Sequence, residues 1–289
     1  MIKTQANLTT PLLVFGLLLV DGLHFVFARL LHDYLPPLTS VLYVLGIGTA
    51  QLAVIALATG RFRPRAFWDH KWFFLAIGLL VSFSTTMNYT AVGFIDPGPA
   101  SLLAETSILY GLAFGFFWLR ERLTQAQLIG AAIAIGGVVA ISYEPGNYLR
   151  PGALLVILSN GLYALHTSIV KRWGGGIDFV EFFLWRLAAT TGFLLIAAAS
   201  GRLLIWPNGR VWLLLLLVAT VDILVSRGLY YAALRRLTVS LHTLILTLSP
   251  VVAILWSLAL FGLQPNLRDV LGGVAVLGGV AIVMLTRKA

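Results

Sequence analysis

The chain has 289 residues, 59% of them hydrophobic and 11% charged, with a mean hydropathy of +0.93 and a formal net charge of +9. A soluble domain carries about 25% charged residues, so this composition excludes one, and unbroken apolar runs exclude a membrane β-barrel, whose spans alternate over about 10 residues. The positive balance belongs to loops that hold topology rather than to a nucleic-acid partner, and the absence of cysteine excludes disulfides, thiol nucleophiles and Cys-ligated metals.

Apolar runs bounded by Gly, Pro and charge predict ten transmembrane helices. Helix 1 covers residues 11–31 and, with only Lys3 ahead of it and no evident cleavage site, reads as a retained helix rather than a signal peptide. Asp21 and His24 lie three apart on it and share a face. Helix 2 covers 38–58, helix 3 covers 71–92 with Tyr89, and helix 4 covers 98–119 with Glu105 and Tyr110. Helix 5, at 126–143, holds the glycine-punctuated phrase "IGAAIAIGGVVAI".

The second set runs 152–172, 178–199, 211–233, 239–261 and 268–286. Helix 6 carries Asn160, Tyr163 and His166; helix 7 carries Trp185 and Arg186; helix 8 carries Asp222 and Arg227. Helix 9 carries His242 and an internal Pro250, which lacks an amide proton and so predicts a kink and a freed carbonyl at Leu246. Helix 10 repeats the glycine phrase as "LGGVAVLGGVAIV".

Sliding the sequence by 142 positions lays Gly130, Gly136 and Gly137 on Gly272, Gly278 and Gly279, Tyr89 on Tyr231 and Ser107 on Ser249. An offset of 139 pairs "DGL" at 21–23 with "NGL" at 160–162, so Asp21 and His24 correspond to Asn160 and Tyr163. The chain therefore divides into two repeats, 1–145 and 146–289, within one membrane domain. Small residues on one stripe let backbones approach in lipid, and the glycines read as packing between the halves rather than substrate contacts.

Five helices per half place the second copy upside down relative to the first. With both termini inside, Lys and Arg concentrate in the predicted cytoplasmic segments: Arg61, Arg63, Arg65 and Lys71; Arg120 and Arg122; Lys171 and Arg172; Arg235 and Arg236. Charge follows side rather than repeat position, since Arg235 and Arg236 correspond to Gly93 and Phe94, and Arg120 and Arg122 to Gly262 and Gln264.

These residues resemble the EamA-type, ten-helix branch of the drug/metabolite transporter superfamily. The resemblance rests on "LYGLAFGFFWLRERLTQAQLIGAAIAIGGVVAI", with Glu121 in the turn between helices 4 and 5, and on "LILTLSPVVAILWSLALFG", with Pro250. The turn glutamate has Leu263 as its second-half counterpart, and the proline has Ile108 in the first. The resemblance implies an integral protein of a bacterial inner membrane that carries small solutes by alternating access around a central cavity, with helices 4 and 9 beside it.

A charge at bilayer depth costs at least about 2.5–3.5 kcal/mol on insertion scales and needs a reason. Asp21 and His24 are expected to confront Asn160 and Tyr163 across the central axis, as a hydrogen-bonded clasp or as solute contacts. Glu105 is a candidate for proton exchange or for a permanent pair with an arginine, and His242 is its neighbour on the repeat mate. Arg186 pairs with Glu181 or, like Arg227, grips the anionic group of a solute; Arg227 otherwise neutralises Asp222. Tyr89, Tyr110, Tyr163 and Trp185 are candidate wall residues.

The expected function is secondary transport, as an exporter of small organic metabolites, amino acids or similar zwitterions foremost. The alternatives are an exporter of hydrophobic cationic drugs and, in a different class, a membrane-embedded enzyme. The sequence lacks HExxH, GxSxG and GxxxxGK[ST] patterns, so no catalytic residue is assigned. Expected partners are a small-molecule solute, the lipid bilayer and protons as coupling ion, with no nucleic acid, cofactor or metal.

Overall fold

The computed structural model describes residues 9–119, 123–143, 150–234, 236–237 and 245–286. Among them, nine helices are long and apolar enough to cross a membrane, and a further apolar helix, Ser249–Phe261, is shorter. Helix 1 is Thr9–Asp21 and His24–His32, helix 2 is Pro37–Ala58, helix 3 is Lys71–Ala91, helix 4 is Pro97–Ala104 and Thr106–Leu119, and helix 5 is Gln125–Ser142. Helix 6 is Pro151–Trp173, helix 7 is Phe179–Ser200, helix 9 is Ser249–Phe261 and helix 10 is Leu267–Leu285. Helix 8 runs Gly209–Val218, passes through a π-helical segment, Ala219–Val225, and resumes at Ser226–Leu234.

The ends have local causes. Proline in the first turn, where its missing amide proton is not needed, starts helices 2, 4 and 6. Thr124 and Gln127 form a reciprocal capping box on helix 5, while Asp178, Asn208 and Asn266 cap helices 7, 8 and 10. Gly262 closes helix 9 with φ +67°, the left-handed conformation that favours glycine. Large apolar side chains such as Leu213, Leu255 and Val274 point outward, where a bilayer would solvate them.

Repeat mates pack against each other, and they do so head to tail. A Cβ placed on Gly130 would lie 2.7 Å from the Gly279 carbonyl oxygen, and one on Gly272 would lie 2.9 Å from that of Gly137. Numbers rise along helix 5 as they fall along helix 10, so the pair is antiparallel. Each contact is also the image of the other, because Gly130 corresponds to Gly272 and Gly137 to Gly279. This is the pseudo-two-fold relation of an inverted repeat.

The same axis passes between helices 2 and 7, where Thr49 Oγ1 and Thr191 Oγ1, 142 positions apart, lie 3.1 Å from each other. It also relates the contact of Gly22 with Val252 to that of Gly161 with Tyr110. The packing reading of the glycine phrase holds for these stripe positions. Gly136 and Gly278, whose added Cβ atoms would meet nothing within 4 Å, lie off the contact.

Loops close each face. On the arginine-rich face the short helix Pro64–Asp69 follows Arg63, which pairs with Glu181 at 3.4 Å. On the opposite face Arg150 meets Asp269 at 3.1 Å, tying helix 6 to helix 10. There Thr39 also donates to the Leu203 carbonyl at 2.6 Å.

Candidate functional site

Among the described residues, four helices lose regular α geometry inside the bundle, and each interruption carries or adjoins polar residues. In helix 1 the Leu23 amide bonds Val20, three residues back, which leaves the Leu19 carbonyl to accept from the Trp256 indole at 3.1 Å. Asp21 and His24 flank this turn. Helix 4 tightens at Glu105, whose amide bonds Leu102 and whose carbonyl accepts from Ile108. Residues 245–246 are helical, a turn follows at Thr247 and Leu248, and helix 9 resumes at Ser249, one residue before Pro250.

Glu105 and Thr247 are repeat equivalents, so helices 4 and 9 break at the same place in the two halves. Helix 8 breaks differently. Its π-helical segment sends the Ser226 amide back five residues to Val221 and has Asp222 at its centre. Short π and 3₁₀ segments within longer helices recur at functional sites and hinges, and interrupted helices surround the solute site in many transporters.

The side chains at these breaks converge. His24 Nδ1 lies 3.0 Å from Asp222 Oδ2, and the carboxylate accepts, so Nδ1 carries the hydrogen. Asp222 is buried, whereas His24 keeps 33% of its side-chain surface accessible although it lies well inside its span. Tyr89 stands edge-on to His24, with ring centroids 6.0 Å apart, and is buried. Glu105 is within electrostatic reach of Asp21.

The positive residues come from helices 7 and 8. The Arg186 guanidinium lies near the Tyr163 hydroxyl, which is also within electrostatic reach of Arg227 and Asp21. Arg227 sits 6.0 Å from the Tyr230 ring centre, and Tyr230 in turn is near Tyr163 and Asp21. His166 adjoins Arg186 and Arg227. Acids and arginines therefore meet around two tyrosines, with residues from both halves.

The acids and arginines are offset in depth. At 1.5 Å per residue, Arg186 lies about 10 Å from the start of helix 7, and Arg227 about 10 Å from the end of helix 8. Both ends are on the arginine-rich face. Glu105 lies about 12 Å from the start of helix 4, on the opposite face.

Of the residues singled out in the sequence, Asp21, His24, Tyr89, Glu105, Tyr163 and Arg227 come together here. Asn160 hydrogen-bonds to helix 4. Its side-chain amide donates to the Leu103 carbonyl and the Thr106 hydroxyl, both at 3.3 Å, bracing the break in helix 4. Tyr110 packs over Gly161. Pro250 is the second residue of the resumed helix 9, where the missing amide proton is tolerated.

Two pairings differ from expectation, and one wall residue lies elsewhere. Glu181 is taken by Arg63, because Arg186 is five residues along helix 7 and points to a different face. Asp222 meets His24, brought to it by the π-helical segment. Trp185 donates its indole N–H to the Arg63 carbonyl and packs on Phe62 and Phe67 near the arginine-rich face, away from the charged cluster. His242 and Glu121 lie outside the described residues.

The cost of polar groups at bilayer depth singles out Asp222, Arg186 and His166 in the sequence as it does Glu105, although they are not among the binding candidates drawn from it. Tyr230 carried no such signal.

The arrangement is similar to known proteins in sequence and in fold. The chain is 26% identical over 200 residues to the uncharacterized transporter YdfC of Bacillus subtilis, a match that covers 66% of this chain and 63% of that one. It is 27% identical over 250 residues to a probable terminal-alkyne amino-acid exporter of Streptantibioticus cattleyicolor, covering 83% of this chain and 81% of the relative. A solved crystal structure superposes with a TM-score of 0.64 over 97% of this chain and 98% of the other, at 21% identity, which supports the fold alone. The EamA-like transporter family model matches residues 8–143 and 150–285, the two halves in turn. The chain is thus an integral membrane protein and belongs to the EamA-like transporter family.

Proposed function

We propose that this protein is a secondary carrier that exports small zwitterionic metabolites, amino acids foremost, across a bacterial inner membrane. The observation that carries this reading is the cluster inside the bundle in which one acid, Asp21, and two arginines, Arg186 and Arg227, all lie within electrostatic reach of Tyr163. A zwitterion offers an ammonium to the first and a carboxylate to the second. The amino-acid exporter among the relatives supports the class of solute.

A hydrophobic cation suits Asp21, Glu105 and Asp222 with their aromatic neighbours, but two guanidiniums in the same cluster would repel it. Alternating access follows from the inverted repeat: the two halves rock about the axis that passes between Thr49 and Thr191, exposing the cluster to one face and then the other. Glu105, facing Asp21 at the break of helix 4, is the candidate for proton coupling.

The test is efflux from cells fed dipeptides, which load the cytoplasm with amino acids. Expression of the chain should speed release of amino acids from the loaded cells. Unchanged release of every amino acid, with faster efflux of cationic dyes, would move the reading to a cation exporter.

A further inference from the structure

The charged cluster divides into two poles, and the one built on helices 6, 7 and 8 has the features of a site for an anionic group. Arg186 comes to it from helix 7 and Arg227 from helix 8, and Tyr163 supplies a hydroxyl within electrostatic reach of both. His166 completes it. This imidazole is 2% exposed, and neither ring nitrogen reaches hydrogen-bond geometry, although the Tyr163 carbonyl is close by.

A buried imidazole with both nitrogens unsatisfied forfeits the hydrogen bonds that water would have given it. An arriving acceptor satisfies the ring's N–H. The groups around His166 that act on it electrostatically are guanidiniums, so an acceptor with negative charge suits the position. A carboxylate matches an arginine fork in shape as well as charge, with two parallel N–H···O bonds.

Resting on the carrier reading above, we infer that Arg186, Arg227, Tyr163 and His166 form a carboxylate subsite in the half of the membrane nearer the arginine-rich face. The acidic pole at Asp21 and Glu105 takes the ammonium end of the same solute. Tyr163 and Tyr230, each within reach of Asp21 and Arg227, form the wall between the poles. The solute is thereby held with its carboxylate toward the arginine-rich face. The site selects for molecules bearing a free carboxylate.

Four probes sharing one side chain separate the poles: phenylalanine, phenylalaninamide, 3-phenylpropanoate and phenethylamine. Binding to the purified full chain is read by thermal shift and by competition in proteoliposome counterflow of labelled amino acids. The carboxylate-only probe should bind the wild type, and its affinity should fall at least tenfold in Arg186→Gln and in Arg227→Gln. Tyr163→Phe, which keeps the ring packing, should weaken it severalfold, and Asp21→Asn, which removes a nearby negative charge, should not weaken it.

Arg186→Lys and Arg227→Lys, which retain charge without the fork, guard against misfolding and should bind the probe with intermediate affinity. Carboxylate-probe binding that is absent in the wild type, or unchanged in both Gln variants, overturns the subsite. Amino-acid counterflow in the wild type alongside such a result leaves the export reading standing. Carboxylate binding that is lost in the Gln variants, without amino-acid counterflow, retains the subsite and removes the export reading.

Discussion

His24 Nδ1 and Asp222 Oδ2, 198 positions apart in sequence and 3.0 Å apart in space, join the interrupted turn of helix 1 to the π-helical segment of helix 8. The pair links the two halves at a point where neither helix is regular. A hydrogen bond to a charged group contributes about 1.5–3 kcal/mol. His24→Ala should therefore destabilise the protein more than Asp222→Asn, since it leaves a buried carboxylate without that partner. In a double-mutant cycle followed by thermal unfolding in detergent, the two effects should be non-additive by about 1.5–3 kcal/mol. Strict additivity would mean that the contact carries no energy.

The glycines on helices 5 and 10 separate into two classes. Gly137→Ala would press a methyl against the backbone of helix 10, because a Cβ there sits 2.5 Å from the Gly272 carbonyl oxygen. Overpacking of this kind costs about 1–3 kcal/mol. Gly136→Ala, one residue away, meets nothing within 4 Å and should be neutral or slightly stabilising, as alanine favours helix. Thermal unfolding of the two variants decides the matter; equal losses would contradict the observed helix register.

Thr49→Val and Thr191→Val remove a hydrogen bond made on the repeat axis. Interhelical hydrogen bonds in membranes average about 0.6 kcal/mol. The stability effect of either change should be small, and the double variant should equal either single one within error. A loss in the double variant equal to the sum of the two single losses contradicts a shared bond.

The two surface ion pairs should differ in worth. The Arg63 side chain is 74% exposed, so Glu181→Gln is expected to cost less than about 1 kcal/mol through that pair. Arg150 is 20% exposed and Asp269 5%. Asp269→Asn should cost more, and the difference should persist at high salt, which screens the exposed pair preferentially. Chemical denaturation at low and high ionic strength measures both.

Much of the fold was legible in the chain because lipid imposes a simple rule: a helix must be long, apolar and bounded. Lys71–Ala91 and Gln125–Ser142 lie within a residue of their predicted limits. The glycine phrase at 129–141 and again at 271–283 announced both the duplication and the contact between mates. The interruptions were less visible. Only Pro250 flagged one, because the others arise where side chains from distant helices take up freed backbone groups, as Trp256 does for the Leu19 carbonyl.

The site was partly legible for the same reason. Asp21 and Glu105 stand out in apolar surroundings, and their residue type alone raises the question of a partner. Which partner is a tertiary matter. Arg186 lay near Glu181 in sequence and was matched to it, yet the structure turns it toward Tyr163. Asp222 lay near Arg227 but reaches His24 through a local change of helical pitch that no residue type announces.

The central claim is that the mixed-charge cluster carries zwitterions across the membrane, and counterflow in proteoliposomes tests it most directly. Vesicles containing the purified full chain are preloaded with unlabelled amino acids and diluted into a trace of labelled ones, with no imposed gradient of ions. The account predicts accumulation of label above that in protein-free vesicles, abolished or strongly reduced by Arg227→Gln. Label that stays at the protein-free level, from protein that is folded and inserted, would contradict it.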